Sequence, residues 1–144
     1  MPNVCRMRIE VVGEPAELER VAARFAEHDP TPGDLDFLAV LDPLPDGADP
    51  SEHWGDKWGT RKGNVVEGTP ARFVMQSVSA WAPPMRGFDH VAASWPNLQI
   101  TVTYDEAGGS YTGTAVWAYG RRVFDRYWHA GRGWIDNATN LSAV

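Results

Sequence analysis

Apolar and charged side chains alternate at the start of the chain. Cys5, Met7, Ile9 and Val11 are separated by Arg6, Arg8 and Glu10. That period of two predicts a strand with one buried face. Gly13-Glu14-Pro15 breaks the pattern, and a proline suits a first helical turn, where its missing N–H is no loss. Leu18, Val21, Ala22 and Phe25 then recur at i, i+3, i+4 and i+7, the stripe of an amphipathic helix. Glu17 and Arg20 are spaced to pair on its wet side. His28-Asp29-Pro30-Thr31-Pro32-Gly33 stops this helix, since neither proline can continue it. A second stripe, Phe88, Val91, Ala92 and Trp95, follows Pro83-Pro84 and ends at Pro96-Asn97. Leu98, Ile100, Val102 and Tyr104 then alternate with Gln99, Thr101 and Thr103, the cleanest strand pattern in the chain.

The stretches between are less regular. Residues 37–41, Phe-Leu-Ala-Val-Leu, read as a strand or an extended core segment. Residues 42–63 are rich in Pro, Gly and Asp and predict a long irregular insert. Residues 64–67 suggest an edge strand, and residues 72–81 a longer one. Residues 111–119, rich in Thr and aromatics, and 123–128 read as two strands turning at Gly120-Arg121; a helix over 121–128 is the alternative, against which the aromatic and β-branched content weighs. The tail after Gly131 carries weak signals. The order strand, helix, strands, helix, strand, hairpin predicts an α+β fold. Specifically, it fits a ferredoxin-like split β-α-β sheet with both helices on one face, a long loop insert and an added C-terminal hairpin. With 144 residues and no visible boundary, residues 1–144 are expected to form one domain.

Charge changes the picture more than composition does. The formal net charge is -6. Residues 1–60 hold 13 acids against 5 bases, and residues 61–144 hold 6 against 8. The acidic half repels a phosphate backbone and more naturally meets a basic protein. One cysteine, Cys5, excludes an intrachain disulfide and fits a reducing compartment. The charged N-terminus lacks the apolar stretch of a signal peptide, and no run is long enough to span a membrane. A cytoplasmic location is expected, where the Asn-x-Ser/Thr sites at Asn137 and Asn140 carry no meaning.

Several phrases carry a resemblance. Met1-Pro2-Asn3 leads into a strand ending at Gly13. His53-Trp54-Gly55-Asp56-Lys57-Trp58-Gly59 is similar to an Asn-Trp-Gly-x-Lys-Trp-Asp/Asn phrase, departing from it at His53 and Gly59. Ser79-Ala80-Trp81-Ala82-Pro83-Pro84 is similar to a Thr-Ala-Trp-Ser-Pro-Pro phrase before a helix. Trp95-Pro96-Asn97-Leu98, Tyr104-Asp105-Glu106-Ala107-Gly108 and Gly113 match its last helix-to-strand section. In these phrases the chain resembles the YubB-like ferredoxin-like domain proteins of phages and plasmids. The resemblance implies the fold and a mobile-element origin, and it brings no activity with it.

Two groups are candidates for binding. Trp54 and Trp58 flank Lys57, and two indoles four residues apart can make a stacking platform with a cation for phosphate. The plainer expectation is that they pin the insert to the core, together with Trp81. Arg121, Arg122, Arg126 and Arg132 lie among Phe124, Tyr127, Trp128 and Trp134. Such interleaving suits single-stranded nucleic acid or an acidic protein, or simply protects an edge strand from pairing. Asp42, Asp46, Asp49 and Glu52 are candidates for an acidic docking surface. His28, His53, His90 and His129 show no metal-ligand spacing, though His53, Asp56 and His90 could be assembled in space. Cys5 reads as a small core residue, and Asp105-Glu106 as solvated turn acids.

No catalytic constellation, metal site or cofactor motif follows from the residues. The leading expectation is a non-enzymatic phage or plasmid accessory protein that binds a host or defence protein. The alternatives are a nucleic-acid-binding module built on the C-terminal hairpin and a small enzyme centred on the tryptophan insert.

Overall fold

A computed structural model describes residues 3–28, 31 and 33–137. Pro2, Pro30, Pro32 and Asn140, to which sequence signals were attached above, lie outside the described residues. The fold is mixed α/β. One seven-stranded antiparallel sheet has the order β2-β3-β1-β4-β5-β6-β7. The strands are β1 (Val4–Val12), β2 (Arg61–Thr69), β3 (Arg72–Ala80), β4 (Gln99–Glu106), β5 (Tyr111–Ala118), β6 (Arg121–His129) and β7 (Gly133–Asp136). Among the described residues there are four helices, α1 (Pro15–Glu27), α2 (Phe37–Leu41), α3 (Pro50–Trp54) and α4 (Met85–Ser94). No described helix is long and apolar enough to cross a membrane.

The two amphipathic stripes and the two clean alternations cover one another. Leu18 and Val21 of α1 and Phe88 and Val91 of α4 share a buried cluster with Met7, Ile9, Ile100 and Val102. α1 opens on Pro15 at its first turn, as the sequence predicts, and ends at Glu27. Ring contacts run across the layer beneath the helices. Phe73 meets Phe25 at 6.0 Å, Phe25 meets Phe37 at 6.0 Å, Phe37 meets Phe88 at 5.6 Å and Phe88 meets Trp117 at 5.2 Å. The fully buried Phe37 and Phe88 each contribute roughly 1.5–3 kcal/mol by leaving water, and the partly buried Phe25 and Phe73 less.

Residues 37–41 form a helix, not the strand or extended segment their apolar run suggested. The run has no alternation, so period alone cannot decide between the two states. The deciding residue is Asp36, whose side chain accepts the Ala39 N–H at 3.0 Å and caps α2. Thr60 ties this cap to the far end of the insert: its hydroxyl donates to Asp36 at 2.7 Å and accepts the Leu38 N–H at 2.9 Å. Leu35 and Gly63 exchange two backbone hydrogen bonds at the same junction. A side chain at Gly63 would place its Cβ 2.2 Å from the Leu35 carbonyl oxygen, so only glycine permits this approach.

The strand expected over 72–81 forms as β3 and stops at Ala80, the one expected over 123–128 forms as β6 and starts two residues earlier, at Arg121, and the weak tail after Gly131 supplies β7. The expected C-terminal hairpin is therefore a three-stranded meander on one flank of the sheet.

Candidate functional site

Alternation gives the sheet two unlike faces. All buried positions of β1, namely Cys5, Met7, Ile9 and Val11, point to the helices. Burial pushes the Cys5 thiol up to about 11, in keeping with a core residue and not a nucleophile. The opposite face carries Arg6, Arg8 and Glu10 and, among the described residues, no helix.

The bare face divides into two halves. In the half around β1 it satisfies itself. Arg6 bonds Asp105 across the β1–β4 pair. Arg72 bonds Glu10 at 2.7 Å and Glu67 at 3.2 Å, with Arg8 3.6 Å from Glu10. A cavity of about 680 Å³ runs over this half, lined by Arg6, Arg8, Lys62, Gln76, Thr103 and Thr114 among others.

The half on β5–β7 is different. Register places Phe124, Arg126 and Trp128 of β6 opposite Val116, Thr114 and Thr112 of β5, with Trp134 of β7 beside Trp128. Phe124 is 40%, Trp128 39% and Trp134 60% exposed, large values for rings this size. The Arg126 guanidinium lies 4.4 Å from the Trp134 ring centre, a cation–π contact. A smaller cavity of about 240 Å³, lined by Phe124, Arg126 and Trp134, meets the larger one at Thr112 and Thr114.

Of the hairpin candidates, Arg126 and Trp128 come together here, and Arg121 is exposed nearby at the start of β6. Arg122 does not join them. It faces the helices and binds Asp89 through two bonds, at 2.7 and 3.1 Å, and Asp125 at 2.9 Å. Phe124 and Trp134 belong to the site but were named only as neighbours of the arginines. The period-two count along β6 and β7 was the signal that could have placed them.

The insert meets one expectation, an anchoring Trp54, and corrects others. Trp54 is buried, so it anchors and cannot be a stacking platform. Its indole N–H donates to the Asp42 carbonyl at 2.9 Å. Gly59 makes room for its ring, where a Cβ would fall 2.6 Å from it, and a Cβ at Gly87 would fall 2.5 Å from the neighbouring Leu38 side chain. Trp58 is half-buried with the Arg61 guanidinium 5.3 Å from its ring centre, while Lys57 is exposed. Trp81 is 54% exposed at a positive φ of 67°, so it is not part of a buried indole cluster. Asp56, not Trp81, fastens the insert to β3: its carboxylate accepts the N–H groups of Trp58 at 2.9 Å and Ala80 at 3.2 Å. Burial raises the Asp56 carboxyl above its ordinary range, and does the same at Asp36.

The acids also change role. Asp46, Asp49 and Glu52 are exposed, with Asp49 capping α3 through Ser51 N–H at 3.0 Å. Asp42 is no surface acid; its side chain is 14% exposed and sits between two histidines. His53 Nε2 lies 3.0 Å from one carboxylate oxygen and His90 Nδ1 2.8 Å from the other. Sequence reasoning had set His53 and His90 beside Asp56; the third member is Asp42. Glu106 is likewise not solvated, since it accepts the Gly108 and Ser110 N–H groups at 3.0 and 2.9 Å. The Ser110 amide bond is the chief reason its carboxyl falls below the usual range.

On the helix side, a cavity of about 420 Å³ is lined by Tyr104, Tyr111, Tyr127, Asp125 and His129, among others. Tyr111 Oη, Asp125 Oδ1 and His129 Nδ1 are buried there without a hydrogen-bond partner among the described residues. Nothing in the sequence pattern pointed to this group.

No family model matches the chain, and no curated protein matches it. Among solved structures, it is similar to the crystal structure of a protein api92 from Yersinia pseudotuberculosis, labelled with the family model DUF1281. The two share 9% identity with a TM-score of 0.61, over 92% of this chain and 99% of the other. At that identity the likeness concerns the fold alone.

Proposed function

We propose that this chain is a non-enzymatic accessory protein of phage or plasmid type that binds a host or defence protein through the β5–β7 half of its bare sheet face. One observation carries the reading: Phe124, Trp128 and Trp134 stand exposed around Arg126 on a face that no element of the described chain covers. Tryptophan and arginine are the residue types that most often anchor protein interfaces. Charge favours a protein over a nucleic acid. The net charge is -6, the bare-face arginines Arg6, Arg8 and Arg72 each lie against an acid, and Arg126 is in register with Asp136. A surface so balanced gives little counterion release on a phosphate backbone. The docking site moves from the acidic residues of the insert to the meander, because Asp42 is engaged and Asp49 caps a helix.

The same reading takes β2-β3-β1-β4 with α1 and α4 as a ferredoxin-like split β-α-β unit, decorated by the insert and by β5–β7. The strand order and the sequence resemblance to the YubB-like proteins support it. The mobile-element origin rests on that resemblance.

A second reading, single-stranded nucleic acid stacking on the same rings, is favoured by the row Phe124, Trp128, Trp134 beside Arg126. The test uses one set of variants against two ligand classes. Trp128→Ala/Trp134→Ala should abolish specific protein capture from host lysate, while Asp46→Lys/Glu52→Lys leaves it intact. Oligo-dT and oligo-U should be retained only weakly at physiological salt. Tight oligonucleotide binding with a steep salt dependence, lost in the tryptophan variant, would replace the first reading with the second.

A further inference from the structure

We propose that Asp42, His53 and His90 form a binding site for a divalent first-row transition-metal ion of the zinc class. The site lies on the insert and α4, away from the aromatic half of the sheet, and stands independently of the docking surface. Its three ligand atoms, one from each residue, all lie within 4.8 Å of one another. In tetrahedral geometry, metal–ligand bonds of about 2.0–2.2 Å place coordinated atoms roughly 3.3–3.6 Å apart, so metal entry needs side-chain shifts on the order of an ångström. Two imidazole nitrogens and one carboxylate are a donor set that zinc and its neighbours favour and that magnesium and calcium do not.

Three separate elements deliver the ligands, and each is held. Asp42 follows α2, and its carbonyl is fixed by the buried Trp54 indole at 2.9 Å. His53 precedes that same tryptophan on α3. Arg86 of α4 donates to the Glu52 carbonyl at 2.9 Å and locks α3 against the helix that carries His90. The imidazoles lie 4.6 Å apart, centre to centre, around a single carboxylate. One divalent ion at the centre of the three groups would engage both imidazoles and the carboxylate at once. The His90 side chain is 45% exposed, which leaves room for water at the remaining coordination positions. A trio linked only by hydrogen bonds, with the carboxylate bridging two rings, is the competing account.

The test uses the full chain stripped with a chelator. Titration with zinc chloride followed by calorimetry should show one equivalent bound, with a rise in melting temperature. Cobalt(II) at the same site should give visible d–d bands without a thiolate charge-transfer band. His53→Ala and His90→Ala should each weaken zinc binding by at least about 100-fold, more than loss of a supporting residue would. His90 is exposed, so His90→Ala should retain the wild-type circular dichroism and metal-free melting temperature. His28→Ala/His129→Ala and Trp128→Ala/Trp134→Ala should bind zinc normally. The proposal is overturned if millimolar zinc does not bind, or if binding survives unchanged in both His53→Ala and His90→Ala.

Discussion

The two halves of the bare sheet face are built from the same kind of strand, yet they are finished differently. Around β1, polar side chains meet partners on their own surface: Arg6 with Asp105, Arg72 with Glu10 and Glu67. Water can cover that half at little cost. On β6 and β7 the outward positions include three rings, with Arg126 over Trp134. Antiparallel sheets commonly leave one face to solvent, so a bare face alone implies nothing. Exposed rings at adjacent register positions do, because keeping them in water forgoes the burial that each could gain. The contrast is the support for the proposed docking surface on β5–β7.

The largest test of this contrast sets a buried ring against an exposed one. Trp117→Ala removes a fully buried indole that packs on Phe88 and donates to Asp89 at 2.6 Å. It should cost about 3–5 kcal/mol in urea unfolding. Trp134→Ala should change stability by no more than about 0.5 kcal/mol while lowering partner affinity at least about tenfold.

A charge comparison comes next. Arg122→Ala leaves Asp125, 2% exposed, without its counter-ion and should cost about 3 kcal/mol or more. Arg6→Ala breaks a pair exposed on the charge-matched half and should cost about 0–1 kcal/mol, shrinking further in high salt. Equal losses in the two variants would contradict the view that the β1 half is only a solvated surface.

The smallest expected effect concerns the insert and appears in pH. Burial raises the Asp56 carboxyl above its ordinary 3.8. Its contribution to stability is complete below that value, where both states are protonated, and is lost as pH rises through the folded-state value. Asp56→Asn can still accept the Trp58 and Ala80 N–H groups. It should therefore gain on the wild type as pH climbs from about 4, with Tm measured across the range.

Much of the fold was legible because its signals were periodic. The stripes of α1 and α4 and the alternations of β1 and β4 are long enough to specify a face. The run 37–41 was not legible, since five apolar residues fit a strand or a helix and the choice fell to a cap at Asp36 and a hydroxyl at Thr60, 24 residues on. The site was half legible. The interleaved arginines and rings of β6 were visible, and alternation puts Phe124, Arg126 and Trp128 on one face, but the face Arg122 takes depends on the bulge between Val116 and Trp117, which a one-dimensional pattern does not reveal. Arg122 fell on the wrong side of it. His53 and His90 were paired correctly with each other and wrongly with Asp56, because Asp42 reaches them only through the path of the insert.

The central claim, that the β5–β7 half is a protein-docking surface, is tested most directly by site-specific photo-crosslinking in host lysate. A benzophenone side chain replaces Phe124 in one sample and Thr103, on the charge-paired half, in another. The account predicts a discrete protein adduct from position 124, competed away by unlabelled wild type but not by Trp128→Ala/Trp134→Ala, and none from position 103. Equal adducts from both positions, or no adduct from position 124, would contradict it.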